Sequence, residues 1–244
     1  MIKVVTSAER HTSEKEWIHS EFSFSFADYD DPSNAHFGCL LAHNDNQLSP
    51  KQGFKKHPHH DLEIISYVIS GTLEHNDDLG NVTRLPEGTV QVMSAGTGIN
   101  HSETNPSDDA PVRFMQMWFL PTEPGLTPSW KSHSFSREER MNKLEPIVTG
   151  RMNNQGSEEL LEIQSDITLY IPILETGQEI VFEQKDERRT YLFLITGNLE
   201  IDCNDGTFQL EPGDAARIRN NCELLHIKGT SSEGDAEFVL VDIP

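Results

Sequence analysis

Cysteine is scarce in this 244-residue chain: Cys39, Cys203 and Cys222 lie far apart, form no CxxC pair and are odd in number. That excludes a disulfide framework and fits reduced, structural thiols. Long apolar runs are missing as well. No stretch approaches the roughly 20 residues that cross a bilayer as a helix, and residues 1–7 lack the basic start and apolar core of a signal peptide. A cytoplasmic protein is the expectation. Positive charge is short, with 19 Lys and Arg against 40 Asp and Glu, and the net charge of −21 is spread over both halves of the chain. Such a surface repels phosphate backbones and anionic lipids, which excludes direct electrostatic binding of nucleic acid or membrane and leaves room for a basic protein partner. No GxGxxG, P-loop, Ser/His/Asp or catalytic Cys/His signature is present.

What is present is punctuation. Sixteen Gly and 13 Pro separate short runs of Val, Ile, Phe and Leu, which favours many short strands and an all-β fold. The chain also repeats itself: residues 67–74 (YVISGTLE) line up with residues 193–200 (FLITGNLE), and Gly80 or Gly206 follows nine residues after the first glycine. Leu85, Pro86 and Gly88 then match Leu210, Pro212 and Gly213, an offset of about half the chain. Each unit reads as an antiparallel meander of strand, glycine turn, strand and polar turn. Between the units Pro121, Pro124, Pro128 and a polar stretch interrupt the pattern, and residues 137–144 could form a short helix. The expected divisions are 1–122 for an N-terminal barrel, 123–145 for a linker and 146–244 for a C-terminal barrel.

Two clusters carry chemistry. His57 and His59 are two apart before an apolar strand, so their side chains project together, and Glu63 shares their face if no bulge intervenes. His101 and Glu103 repeat the spacing beside Gly96 and Gly98. Two such pairs on facing strands make a four-ligand site. Its imidazole and carboxylate donors suit Fe, Mn, Co, Ni, Cu or Zn better than Ca or Mg, and leave coordination positions open.

The residues Gly53, His57, His59 and Glu63, then Gly71, Gly88, His101 and Asn105, resemble the two motifs of the cupin superfamily. More narrowly, residues 22–29 (FSFSFADY), His57-Pro58-His59, residues 93–98 (MSAGTG) and His101-Ser102-Glu103 resemble pirin and the bacterial pirin-like quercetinases. The resemblance implies a bicupin of two antiparallel, jelly-roll-like β-barrels, the first holding one divalent transition metal, Fe(II) foremost, on His57, His59, His101 and Glu103. It places Glu103, rather than Glu63, among the ligands, leaving Glu63 to orient a histidine by a hydrogen bond. It further implies a monomeric dioxygenase that cleaves the flavonol ring of quercetin, or a similar phenolic or enolic compound, with O2 and release of carbon monoxide, Glu103 taking the substrate's hydroxyl proton. A metal- and redox-sensing regulator acting through protein partners is the alternative, and an oxygen-independent isomerase a third reading.

The repeat is an internal control. Mapping by offset puts Glu183, Lys185, His226 and Lys228 at the four ligand positions, so the second barrel is expected to be metal-free, its cysteines and His226 structural. Phe22, Phe24 and Phe26 alternate as one apolar face of a strand, and Gln116 is a candidate for the pocket wall. His60 and His75 lie next to turns and read as solvated; His11, His19, His36, His43 and His133 have no partner at chelating spacing.

Overall fold

The computed structural model describes residues 1–150, 160–219, 222–232 and 234–244. The alternating apolar runs become strands. The first are β1 (Ile2–Val5), β2 (His11–Lys15), β3 (Ile18–Phe22), β4 (Leu40–Leu48), β5 (Gly53–His59) and β6 (Glu63–Ser70). There follow β7 (Thr72–Asp77), β8 (Val82–Pro86), β9 (Thr89–Ser94), β10 (Ile99–Thr104), β11 (Val112–Phe119) and β12 (Ser129–Ser134). Helix α1 (Arg137–Arg140) is shorter than the 137–144 expected; Ser136 caps it, accepting from the Glu139 amide. The second half contains β13 (Val148–Thr149), β14 (Leu161–Glu162), β15 (Thr168–Tyr170), β16 (Ile173–Leu174), β17 (Glu179–Glu183) and β18 (Arg189–Thr196). It ends with β19 (Leu199–Cys203), β20 (Gly206–Leu210), β21 (Ala215–Arg219), β22 (Leu224–Gly229) and β23 (Ala236–Ile243).

Two compact units result, His11–Phe135 with Leu161–Ser165, and Met1–Arg10 with Ser136–Leu160 and Asp166–Pro244. Beside the division drawn on the repeat, residues 123–135 and Leu161–Ser165 lie with the first unit, while the first ten residues lie with the second. There β1 pairs antiparallel with β21, Ile2 opposite Ile218 and Val5 opposite Ala215.

Each unit is an open antiparallel sandwich of the jelly-roll kind, not a closed barrel. In the first, a seven-stranded sheet in the order β12-β9-β6-β11-β4-β3-β2 is matched with a four-stranded sheet β5-β10-β7-β8. Val68, Val112 and Phe114 from the large sheet meet Leu73 and Leu85 from the small one in a buried apolar cluster. Removal of these side chains from water is the main stabilising force. The second unit repeats the scheme, β17-β22-β19-β20 against a sheet in which β21, β18 and β23 are neighbours, and Phe182, Ile201, Leu225, Ile227 and Phe238 fill its interior.

The repeated glycine has one physical cause in both units. Gly71 and Gly197 turn the chain at φ +80° and +76°, and a Cβ there would lie 2.7 Å from the backbone oxygens of Pro111 and Asp235 respectively. Only glycine tolerates both the left-handed backbone and that approach.

Candidate metal centre

Pairing of β5 with β10 sets His57 directly opposite His101 and His59 opposite Ile99. A bulge between His101 and Glu103 then puts Glu103 opposite Phe54, and β10 buries every second residue, Ile99, His101 and Glu103, toward the interior. The close passage of the strands requires Gly53, where a Cβ would stand 2.3 Å from the Glu103 carbonyl oxygen. The three imidazoles converge, with ring centroids 4.6 Å apart for His57 and His101, 4.8 Å for His57 and His59, and 5.0 Å for His59 and His101. One donor nitrogen from each lies within 4.8 Å of the others.

Burial makes these rings good ligands. Desolvation first, and the neighbouring histidines second, lower the pKa of His59 to about 4 and of His101 to about 3. Both are neutral at pH 7 and need lose no proton to bind a cation. Both ring nitrogens of His101 are buried without a hydrogen-bond partner, the state of a side chain built to meet something else. Three imidazoles suit a first-row divalent ion; Glu103 shares a donor group with His101 and His75, not with His57 and His59.

Glu103 is clamped. Gln91 Nε2 donates to its Oε1 at 2.5 Å and Gln116 Nε2 to its Oε2 at 2.7 Å. An amide can flip, but each glutamine is keyed by a tryptophan: Trp130 Nε1 donates to Gln91 Oε1 at 2.9 Å and Trp118 Nε1 to Gln116 Oε1 at 3.0 Å. An indole is a donor only, so it selects the rotamer that presents both amide N–H groups to the carboxylate. The glutamines occupy one register row of the large sheet, in which Gln116 stands beside Asn44 and Ser66, and Ser66 beside Gln91. Gln116 was expected at the pocket wall and is there. Gln91 was missed, although a lone amide in the apolar run Val90-Gln91-Val92 is a signal of a buried polar contact.

Other expectations need correction. His75 is not solvated: it is fully buried, its ring stacks on Trp130 at 4.8 Å and 15°, and its Nε2 donates to Asp77 Oδ2 at 3.0 Å. β7 pairs with β10, which brings His75 opposite Glu103. His75, His101 and Glu103 thus form a second group of donors within 4.8 Å of one another. Burial raises the pKa of Asp77, but hydrogen bonds from His75 and Asn81 outweigh it and leave a net lowering. Glu63 orients no histidine. It lies three residues from Ser66, hence on the other face of β6, where its carboxylate accepts from Ser94 Oγ at 2.7 Å and from the Gln164 amide at 3.0 Å. His43, buried, pairs instead with Ser23 Oγ at 3.1 Å. β3 ends at Phe22, and Phe26 sits on the pocket wall, its ring 5.0 Å from Trp118.

The mapping onto the second unit was one residue out of step. In β10 His101 faces Asp77 and Glu103 faces His75. In β22 the residue facing the equivalent Ile201 of β19 is Ile227, and Leu225, two residues before it, shares its buried face. Opposite Leu225 in β17 stands Phe182, and Gln184, two further on, donates to Thr190 Oγ1 at 3.0 Å. The interior positions are therefore Phe182, Gln184, Leu225 and Ile227, not Glu183, Lys185, His226 and Lys228, because a slip of one residue exchanges the faces of a strand. His226 points outward and pairs with Glu179 at 2.8 Å.

A cavity of about 240 Å³ opens on the centre, with His57, His59, Glu103 and Gln116 at its surface and Trp17, Phe22, Phe26, Phe54 and Trp118 forming aromatic walls. Lys15, Ser20, Asn44 and Asn46 supply its polar edge. Trp118 does double duty: it keys Gln116 and sets its ring edge-on to His59 at 5.0 Å.

Two jelly-roll units, one with a buried cluster of histidines and a carboxylate and one with an apolar interior, define a bicupin metalloprotein. Pirin matches residues 5–119, and a quercetinase C-terminal cupin domain matches residues 152–243. A quercetin 2,3-dioxygenase of Escherichia coli O157:H7 is 34% identical over 100% of this chain and 99% of its own length. A pirin-like protein of Caulobacter vibrioides is 36% identical over 93% of this chain and 92% of its own length. The crystal structure of the bacterial pirin YhhW from Escherichia coli in complex with nickel(II) superposes with a TM-score of 0.90 at 33% identity, covering 100% and 99% of the two chains. The chain belongs to the pirin family. Among the described residues no helix is long and apolar enough to cross a membrane.

Proposed function

We propose that the protein is a metal-dependent dioxygenase that opens the oxygenated ring of a flavonol or a similar enolic or phenolic compound in the cytoplasm. One divalent first-row ion, Fe(II) foremost, would be held by His57, His59, His101 and Glu103. The observation that carries the reading is the neutral, unpartnered His101 beside a clamped carboxylate, Glu103, which lines an aromatic cavity together with His57 and His59. The names of the relatives support the substrate class.

The bound ion supplies Lewis acidity that makes a substrate hydroxyl acidic, and an open coordination position. The chain does the rest. Trp17, Phe54 and Trp118 offer faces and edges to a planar ring system and exclude water from it. Glu103 accepts the hydroxyl proton on a lone pair that the glutamine amides leave free, and those amides hold the carboxylate in place while it does so. His57 and His59 would hold the ion from β5, and His57 donates its Nδ1–H to the Lys55 carbonyl at 2.7 Å, which fixes the ring and leaves the Nε2 lone pair free.

The test is oxygen uptake with quercetin by protein loaded in turn with Fe, Mn, Co, Ni or Cu, alongside His101→Ala. Uptake that needs the ion and disappears in the variant supports the reading. One ion bound per chain without uptake, across a panel of flavonols, removes the activity while leaving the metal site, and absence of tight metal binding removes both.

A further inference from the structure

Three buried ring nitrogens near the centre carry no hydrogen bond: Nδ1 and Nε2 of His101 and Nδ1 of His75. Leaving such a group buried without a partner is unfavourable. The ion proposed above pairs with one nitrogen of His101 and leaves the other two. A neutral imidazole carries one proton, so the His101 nitrogen turned away from the ion is an N–H donor without an acceptor. His75 can take the complementary tautomer, with Nε2–H donating to Asp77 Oδ2 and Nδ1 left as an acceptor.

The rings are neighbours, with centroids 5.4 Å apart and a donor nitrogen of each within 4.8 Å of the other. We infer that His75 is a positioning residue that accepts the N–H of His101, so that Asp77, His75, His101 and the ion form one line in which each member fixes the next. The two rings stand side by side without a hydrogen bond between them, and the line requires them to draw to bonding distance, as site contacts commonly tighten on occupation. Trp130, stacked on His75 and donating to Gln91, holds the plane of the His75 ring and keys Glu103 through the same indole. An ion placed instead between His75, His101 and Glu103 would leave one His101 nitrogen buried and unpaired. The single line satisfies all three.

The inference rests on the metal reading, and its test separates the two. In the wild-type protein loaded with Zn(II) and labelled with 15N, a two-bond coupling between ring nitrogens of His101 and His75 is expected, and it vanishes when the ion is removed. His75→Phe, which keeps the stack on Trp130 but has no acceptor, is expected to weaken metal binding 10- to 100-fold in chelator competition. His75→Asn, whose Oδ1 stands in for Nδ1, should restore most of that loss. Wild-type affinity in His75→Phe, or no coupling in the loaded wild type, overturns the line while the metal site stands. An ion retained by a His57→Ala/His59→Ala variant and lost on adding His75→Phe also overturns it, by making His75 itself a ligand. A wild-type chain that binds no ion removes both readings.

Discussion

At the scale of the residue, the hydrogen of an indole decides what Glu103 meets. Trp118→Phe keeps an aromatic wall and loses only the donor that keys Gln116. The amide is then free to present its oxygen to the carboxylate, which replaces a charge-assisted hydrogen bond with a repulsion. Such bonds are worth roughly 1.5–3 kcal/mol, so metal affinity should fall about 10- to 100-fold. Gln116→Leu should fall as far, and the double variant no further than either single one, because both act through one contact. Additive losses in chelator competition would show that Trp118 acts only as a wall.

The buried histidines also set a dependence on pH. His59 and His101 titrate in the folded, metal-free chain near 4 and 3, below the ordinary 6.5. As pH falls through 6.5 the unfolded chain takes up protons that the folded one refuses. The stability these rings confer is therefore complete above pH 6.5 and is lost progressively down to pH 4 and below. Glu63, pushed up by burial, has the opposite sign: it adds stability at low pH that is lost as pH rises through its folded value. Two rings outweigh one carboxyl, so the urea midpoint of the metal-free protein should fall between pH 6.5 and 4. His59→Gln should flatten that fall, and an unchanged slope would mean that His59 is not held neutral by its burial.

At the scale of the element, the pairs His57/His59 and His101/Glu103 were legible because strand period places residues two apart on one face, which needs no knowledge of tertiary structure. His75 was not legible. Its sequence context, His75-Asn76-Asp77-Asp78 before a glycine, is that of a turn, and only the pairing of β7 with β10 takes it inside. The repeat was legible through its glycines, yet the register of β22 was not. The offset of the repeat set His226 at His101, whereas burial of Leu225 and Ile227 decides the face. The shared turn gives a prediction. Gly71→Ala and Gly197→Ala each combine a left-handed backbone with a Cβ 2.7 Å from a carbonyl oxygen, whereas Gly80, at φ +96°, has open space around it. The first two should lose about 2–3 kcal/mol in denaturant unfolding and Gly80→Ala about 1 kcal/mol, the strain of the backbone alone. Equal losses at all three would show that the close approach relaxes without cost.

At the scale of the whole molecule, the chain order and the units differ at the N-terminus. In the first unit β12 pairs with β9, which in turn pairs with β6. In the second, β21 and β18 stand where β9 and β6 do, and the strand beside β21 is β1, taken from the start of the chain. The repeat hid this because β1 has no counterpart at the expected offset. Around it, Asp214 accepts from the Ser7 amide at 2.7 Å, and the Arg10 guanidinium lies 4.9 Å over the Phe193 ring. A chain lacking residues 1–10 would expose the edge of β21 and uncover Ala216 and Ile218, both buried beside it. Loss of amide protection should then appear first in β21 and β18 by hydrogen exchange, while β10 and β5, which carry the candidate ligands, keep theirs. Metal affinity of the shortened chain should stay within about twofold of the full one, since sites that share no partners respond independently. Equal loss of protection in β10 would mean that the two units unfold as one and that the first strand supports the metal centre as well as its own sheet.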